Sequence, residues 1–234
     1  MEKISCGIVI VAGGSGKRMG SNLPKQFLFL NGQPLLSQTI NRLAEALPGA
    51  PIVVVLPEEQ IPYWQNLSAR FEVARHTLTA GGAERFHSVK AGIEALLALG
   101  EGVELIAIHD GVRPLVSVEM IHRCVECAAL HRTAIPVVEA IDSCRRLTEE
   151  GSEIVDRSTL RMVQTPQLFE MELLRRAYRQ EYSPLFTDDA SVVEHYGEQV
   201  TLCVGDRRNL KITTREDLAL AEALFKLEDG REDL

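Results

Sequence analysis

The residues best suited to chemistry stand together near the start of the chain, in VAGGSGKRMGSNLPKQF, Val11 to Phe27. An apolar run there enters the glycines Gly13, Gly14 and Gly16 and then meets Lys17, Arg18 and Lys25. Glycine lets a backbone come close to a ligand, and cationic side chains suit one that is negatively charged. The ligand implied is a phosphate, wrapped by backbone amides.

Two common phosphate loops are excluded. A Walker loop ends in Gly-Lys followed by a hydroxyl residue that holds magnesium, whereas Arg18 follows Gly16 and Lys17. A dinucleotide fingerprint needs G-x-G-x-x-G and an acidic residue about twenty positions on. Here Gly20 falls one step late, and Asn31 and Gln33 stand in the acidic window. A second chemical stretch, HDGVRP from His109 to Pro114, puts Asp110 just past an apolar run. A carboxylate beside a phosphate site suits magnesium, which is hard and shares phosphate oxygens; taken alone it reads equally as a turn or cap. Arg113 can hold a second anion or pair with a surface acid.

The elements that must position these residues follow from hydrophobic periodicity. Continuous apolar runs at Ile8 to Val11, Ile52 to Leu56, Leu105 to Ile108, Ala134 to Val138 and Val200 to Val204 read as strands buried on both faces. Helical spacing joins Leu36, Ile40, Leu43 and Leu47. Ser88 is expected to cap a helix through Val89, Ile93 and Leu96, Ser117 one through Ile121 and Val125, and Thr213 with Glu216 a last one through Leu218, Ala221 and Phe225. Alternating strand and helix implies an α/β fold with a doubly wound, mostly parallel sheet, whose ligands sit at the carboxyl ends of its strands. Between Thr133 and Thr165 the rhythm breaks around the turn TEEGSE, and a hairpin arm is expected at about residues 135–160 of a single domain spanning residues 1–234.

Composition narrows the partners. The chain has 234 residues, 45% of them hydrophobic, so it can bury a sizeable core. A formal charge of -8 argues against a nucleic-acid surface, which needs a basic face. The apolar run Gly7 to Ala12 is too short for a signal segment or a membrane span, so no membrane partner and a cytoplasmic location are expected. The five cysteines are an odd number and read as reduced thiols. Cys124 and Cys127 form a C-x-x-C with no second pair, in a helix-like run, and read as ordinary helix residues, with a metal or redox role the minor alternative. His109 is expected to be a satisfied core histidine, and Trp64 with Tyr63 to cover a helix or loop rather than stack on a base. Asp188 is expected to cap the following helix. Arg85 and His87 read equally as bordering a base site or facing solvent.

With AGGSGKRMG, PKQF, GGAERFHSV, HDGVRP, VQTPQLF, TDDAS and NLKITTREDLALAE in this order, the sequence strongly resembles the 2-C-methyl-D-erythritol 4-phosphate cytidylyltransferases, from Ile8 to about Phe225. The resemblance implies a Rossmann-like sheet, a projecting arm that embraces a second subunit in a homodimer, magnesium, CTP, and a step of the non-mevalonate isoprenoid pathway. It places the triphosphate loop on Ala12, Gly13, Gly14, Ser15 and Gly16, and the charge-stabilising catalytic cations on Arg18, Lys25 and Lys211. The cytosine site falls on Gly81 and Gly82, with Ser88 on the base, and Asp110 matches the magnesium ligand. The contacts to the polyol phosphate fall on Gly111, Arg113, Thr165, Thr187 and Lys211, with Ser143 and Arg157 reaching in from the partner's arm. Three positions depart from the usual bacterial pattern: Ala83 replaces an aspartate, Ser143 a threonine, and Arg208 an acidic residue that in some members is a second magnesium ligand.

The implied reaction is attack of the substrate phosphate on the α-phosphorus of CTP, with release of pyrophosphate. A phosphate monoester has a second pKa near 6, so at neutral pH the nucleophile is already an anion and needs no general base. The obstacle is electrostatic, and catalysis is in-line positioning plus charge neutralisation. A ribitol 5-phosphate cytidylyltransferase, with the same chemistry on a longer polyol, and a non-catalytic nucleotide-binding module on the same fold are the competing readings.

Overall fold

The computed structural model describes residues 4–14, 23–100 and 102–228. Ser15, Gly16 and Arg18, expected in the triphosphate site, lie outside the described residues, as does Lys17. In chain order the elements are β1 (Cys6–Val11), β2 (Phe29–Leu30), β3 (Gln33–Pro34), α1 (Leu35–Ala46), β4 (Ile52–Leu56), α2 (Ile61–Ser68), β5 (Thr77–Ala80) and α3 (Arg85–Ala98). There follow β6 (Leu105–Asp110), α4 (Val118–His131), β7 (Thr133–Glu139), β8 (Cys144–Thr148), β9 (Gly151–Val155), β10 (Arg161–Val163) and β11 (Gln167–Glu170). The chain continues through α5 (Met171–Ala177), α6 (Asp189–His195), β12 (Leu202–Val204) and α7 (Arg215–Glu228).

Eight strands form the main sheet in the order β10-β7-β11-β6-β1-β4-β5, with β12 added to β7. The pairs β6/β1, β1/β4, β4/β5 and β7/β12 are parallel, and β11 runs antiparallel between β6 and β7. The sheet is doubly wound because its strands alternate faces with period two. Ile8 and Ile10 of β1 face a layer with Leu36, Ile40 and Leu43 of α1 and Met120, Ile121 and Cys124 of α4. Val9 faces the opposite layer with Val89, Ile93 and Leu96 of α3 and Leu173 and Leu174 of α5. Trp64, expected to cover a helix or loop, is instead wholly buried in the first layer, stacked on Phe27 and donating its indole N–H to His76 Nε2.

The expected hairpin arm is β8 paired with β9, a two-stranded sheet of its own. β7 and β10 at its root belong to the main sheet. No helix among the described residues is long and apolar enough to cross a membrane.

Two caps differ from expectation. Ser88 lies inside α3, which begins at Arg85 with Glu84 in extended backbone at its N-terminus. The last helix is capped by Thr214 and Asp217 rather than Thr213 and Glu216: the Asp217 N–H meets Thr214 Oγ1 at 3.2 Å while its carboxylate accepts the Thr214 N–H at 2.9 Å. Ser117 and Asp188 do cap their helices, Ser117 by accepting from Met120 N and Asp188 in a capping box with Ser191.

Candidate active site

β1 and β6 lie side by side, with Val11 opposite Asp110, so the ends of these central strands bring the two chemical stretches together. The contact is tight: Gly111 N–H donates to Val11 O at 2.9 Å, and a side chain at Gly111 would lie 2.9 Å from the Ala12 Cβ. That close approach is why the residue after Asp110 has no side chain. Gly14 follows with φ +149°, a conformation other residues rarely adopt, and its α-carbon faces Lys25, whose Cε lies 3.5 Å from where a Cβ would stand. Ala12, Gly13, Gly14 and Lys25 therefore form one wall of the site.

Asp110 is its electrostatic centre. Its Oδ2 accepts from Arg113 Nε and meets Lys211 Nζ, each at 3.1 Å. Burial pushes the carboxyl's pKa upward, but Arg85, Lys211 and Arg113 together outweigh it and hold the group well below the usual carboxylate range. The group is thus a fixed anion. Thr165 Oγ1 accepts the Asp110 N–H at 3.1 Å and also meets His109 Nδ1 at 3.1 Å, while His109 Nε2 lies 3.2 Å from the Arg113 carbonyl. Both nitrogens of this fully buried imidazole are engaged, as a satisfied core histidine requires, and burial drives its pKa down to about 4.

The second glycine pair stands after β5. Gly81 N–H donates to Leu56 O at 2.8 Å, and Gly82 N–H to Ser88 Oγ at 3.2 Å. The Ser88 hydroxyl in turn donates to Glu84 O at 3.2 Å, so this buried serine fastens the loop to the first turn of α3. Thr187 is exposed just before Asp188, and Asp188 accepts from Gln167 Nε2 at 2.9 Å. Gln167 pairs with Ile108 of β6, which ties the Thr187 loop to the strand bearing Asp110. Ser143 and Arg157 are exposed at the root of the hairpin; Arg157 donates to the Ile141 carbonyl, and neither joins the Asp110 cluster within this chain.

The sequence profile of the 2-C-methyl-D-erythritol 4-phosphate cytidylyltransferase (IspD) family matches residues 6–227. The chain belongs to that family. It is 49% identical over 219 residues to the 2-C-methyl-D-erythritol 4-phosphate cytidylyltransferase of Bacteroides thetaiotaomicron, covering 93% of this chain and 98% of that one. With the protein of the same name from Geobacillus kaustophilus it shares 40% identity over 221 residues, 93% and 95% of the two chains. The crystal structure of the Thermus thermophilus 2-C-methyl-D-erythritol 4-phosphate cytidylyltransferase superposes with a TM-score of 0.74 at 31% identity, over 94% of this chain and 98% of the other.

This member of the cytidylyltransferase family also uses residues that sequence reasoning passed over. Asn209 is fully buried: its Nδ2 donates to Thr165 O at 2.8 Å, and its carbonyl accepts from Arg113 Nη1 at 2.8 Å. It thereby joins the three strand-end loops that carry Thr165, Arg113 and Lys211. Arg85, 27% exposed, ties the first turn of α3 to a distant element, its Nη2 meeting the buried Asp189 Oδ2 at 2.6 Å. Tyr178 donates to the other oxygen of Asp189, also at 2.6 Å. The position of NLK directly before a capped helix was the available signal for Asn209; nothing local marked Asp189 as the partner of a residue 104 positions away.

Proposed function

We propose that this chain transfers the cytidylyl group of CTP to 2-C-methyl-D-erythritol 4-phosphate, releasing pyrophosphate. The observation that carries the reading is the meeting of Lys211 and Arg113 on the ionised Asp110, at the strand end where Gly111 touches Ala12 and Gly14 faces Lys25. On this reading the backbone at Ala12, Gly13 and Gly14 receives the triphosphate, and the loop of Gly81 and Gly82 with Ser88 receives the cytosine. Lys25 and Lys211 are placed to neutralise charge that builds on the α-phosphate oxygens. On this reading Gly111, Arg113, Thr165 and Thr187 contact the polyol phosphate, whose anionic oxygen is the nucleophile.

Magnesium fits this donor set. Both cations meet Oδ2 of Asp110, which leaves Oδ1 as the oxygen that can turn to a hard cation. No group of three His, Cys, Asp or Glu stands together as a metal site among the described residues. Asp206, two residues before Arg208, is engaged locally, its oxygens accepting from Arg208 N and Ser117 Oγ. When bound, magnesium supplies charge neutralisation on the nucleotide's phosphate oxygens.

The hairpin supports a homodimer. Leu147 and Ile154 share one face of β8 and β9 and are 83% and 81% exposed, too much apolar area on a two-stranded element to be left to water. Pairing with a second copy covers that face and carries Ser143 and Arg157 toward the partner's phosphate site. The test is pyrophosphate release with magnesium and CTP, comparing 2-C-methyl-D-erythritol 4-phosphate with ribitol 5-phosphate. Selective release with the former is expected; release with ribitol 5-phosphate alone, or with neither, overturns the reading.

A further inference from the structure

Three thiols meet at the seam between α4 and β12, outside the cluster around Asp110. Cys124 and Cys127 stand one helical turn apart on α4, and Cys203 is the middle residue of β12. Its neighbours Leu202 and Val204 are 53% and 71% exposed, while its own sulfur turns to the helix, with Sγ 3.5 Å from Cys124 Sγ. A disulfide has a sulfur separation of about 2.05 Å, so the two need to close by roughly 1.5 Å. The seam is fixed beside them: β12 pairs with β7, and three residues past Cys203 the Asp206 carboxylate accepts from Ser117 Oγ, the cap of α4, at 3.4 Å.

We propose that Cys203 and Cys124 form a reversible oxidation site, at which a hydroperoxide oxidises Cys203 and Cys124 resolves it as a disulfide. In the first step the Cys203 sulfur attacks hydrogen peroxide; an S–O bond forms, the O–O bond breaks, and hydroxide leaves. In the second the Cys124 sulfur attacks Cys203; the S–S bond forms, the S–O bond breaks, and the second oxygen leaves as water with the thiol proton. Two thiols and one peroxide become one disulfide and two waters. The surroundings assign the roles. Hydrogen bonds from Cys124 and Cys127 lower the Cys203 thiol's pKa, whereas the bond to Cys203 and burial raise that of Cys124. Cys203, only half-buried, is the thiol a peroxide can reach and is the nucleophile, while Cys124 is fully buried and reacts only with what is delivered to it. Cys6 is a control within the same chain, a buried thiol pushed up to about 12.

The experiment titrates the native full-length protein with one equivalent of hydrogen peroxide, counts free thiols, and maps the cross-linked peptides by mass spectrometry. The expected result is loss of two of the five thiols, a Cys124–Cys203 cross-link, and return of both thiols with dithiothreitol. Cys127→Ser keeps the cross-link and Cys203→Ser loses it. Retention of all five thiols, prior oxidation of Cys6 or Cys144, or a bond between any other pair overturns the proposal. The wild-type mapping needs no variant to fold, and none of these readouts depends on nucleotidyl transfer.

Discussion

Replacing Lys211 by methionine separates catalysis from stability. The lysine nitrogen lies 3.1 Å from Asp110 Oδ2, a distance at which Coulomb's law with an effective dielectric of about 20 gives about 5 kcal/mol. That figure is not the stability at stake, because the Lys211 side chain is 44% exposed, and solvent screening reduces such pairs to about 1 kcal/mol or less. Nor is Asp110 stranded, since Arg113 Nε stays 3.1 Å from the same oxygen. The melting temperature should fall by no more than about 2–4 °C, the shift that about 1 kcal/mol produces in a domain of this size. Turnover should fall much further, by about 10²–10³, or roughly 3–4 kcal/mol, the usual loss when a preorganised group facing transition-state charge is removed. The assay is steady-state pyrophosphate release at saturating CTP and polyol phosphate, with a thermal melt on the same sample. A turnover within fivefold of wild type refutes the role given to Lys211, and a melt lowered by 10 °C refutes the separation.

Protonation of His109 should cost stability in acid. Its folded pKa of about 4 lies below the ordinary 6.5, despite Asp110 beside it and with Arg113 and Lys211 opposing its charge, so the unfolded chain binds the proton first. Stability contributed by the neutral ring is full above pH 6.5 and lost as pH falls toward 4, by about 3 kcal/mol in total; urea unfolding at stepped pH and the imidazole 15N shifts, which should stay neutral at pH 5, check this. Arg157→Ala should raise the Michaelis constant for the polyol phosphate about 10–100-fold, the worth of one charge-assisted hydrogen bond, with the melting temperature unchanged. Leu147→Asp with Ile154→Asp should convert a dimer to a folded monomer in sedimentation velocity. Gly111→Ala must push its methyl against Ala12 at 2.9 Å and Leu36 at 3.1 Å, and should cost about 1–3 kcal/mol in urea unfolding.

What the sequence disclosed follows from which elements are buried on both faces. β1, β4, β6 and β7 are continuous apolar runs and were legible as strands, to within a residue or two at their ends. β5 was not: Thr77–Ala80 is an edge strand with threonines at alternate positions and no fully buried residue. β11 escaped because four residues opening with a glutamine carry too little pattern, although that glutamine is buried and ties Asp188 in place. Ser88 suits a cap by type, but a buried serine can also close onto the turn before it, and the tertiary contact to Gly82 decided between the two. Of the residues the ordered motifs singled out, Asp110, Arg113, Thr165 and Lys211 do meet at one strand end. The ties that hold it, Arg85 to Asp189 and Asn209 to Thr165, span 104 and 44 positions and leave no local trace.

The carboxylate of Asp110 already serves as counter-ion to Lys211 and Arg113 before any nucleotide arrives. On the proposed function, nucleotide entry at this cluster is an exchange of anions. A bare triphosphate meets a resident negative charge competing for the same two cations, while a triphosphate that brings a divalent ion gives that carboxylate a new partner and frees the cations for phosphate. On the proposed function, a pocket so built is expected to discriminate by the charge state of its guest as well as by shape, taking the metal-laden nucleotide ahead of the naked one.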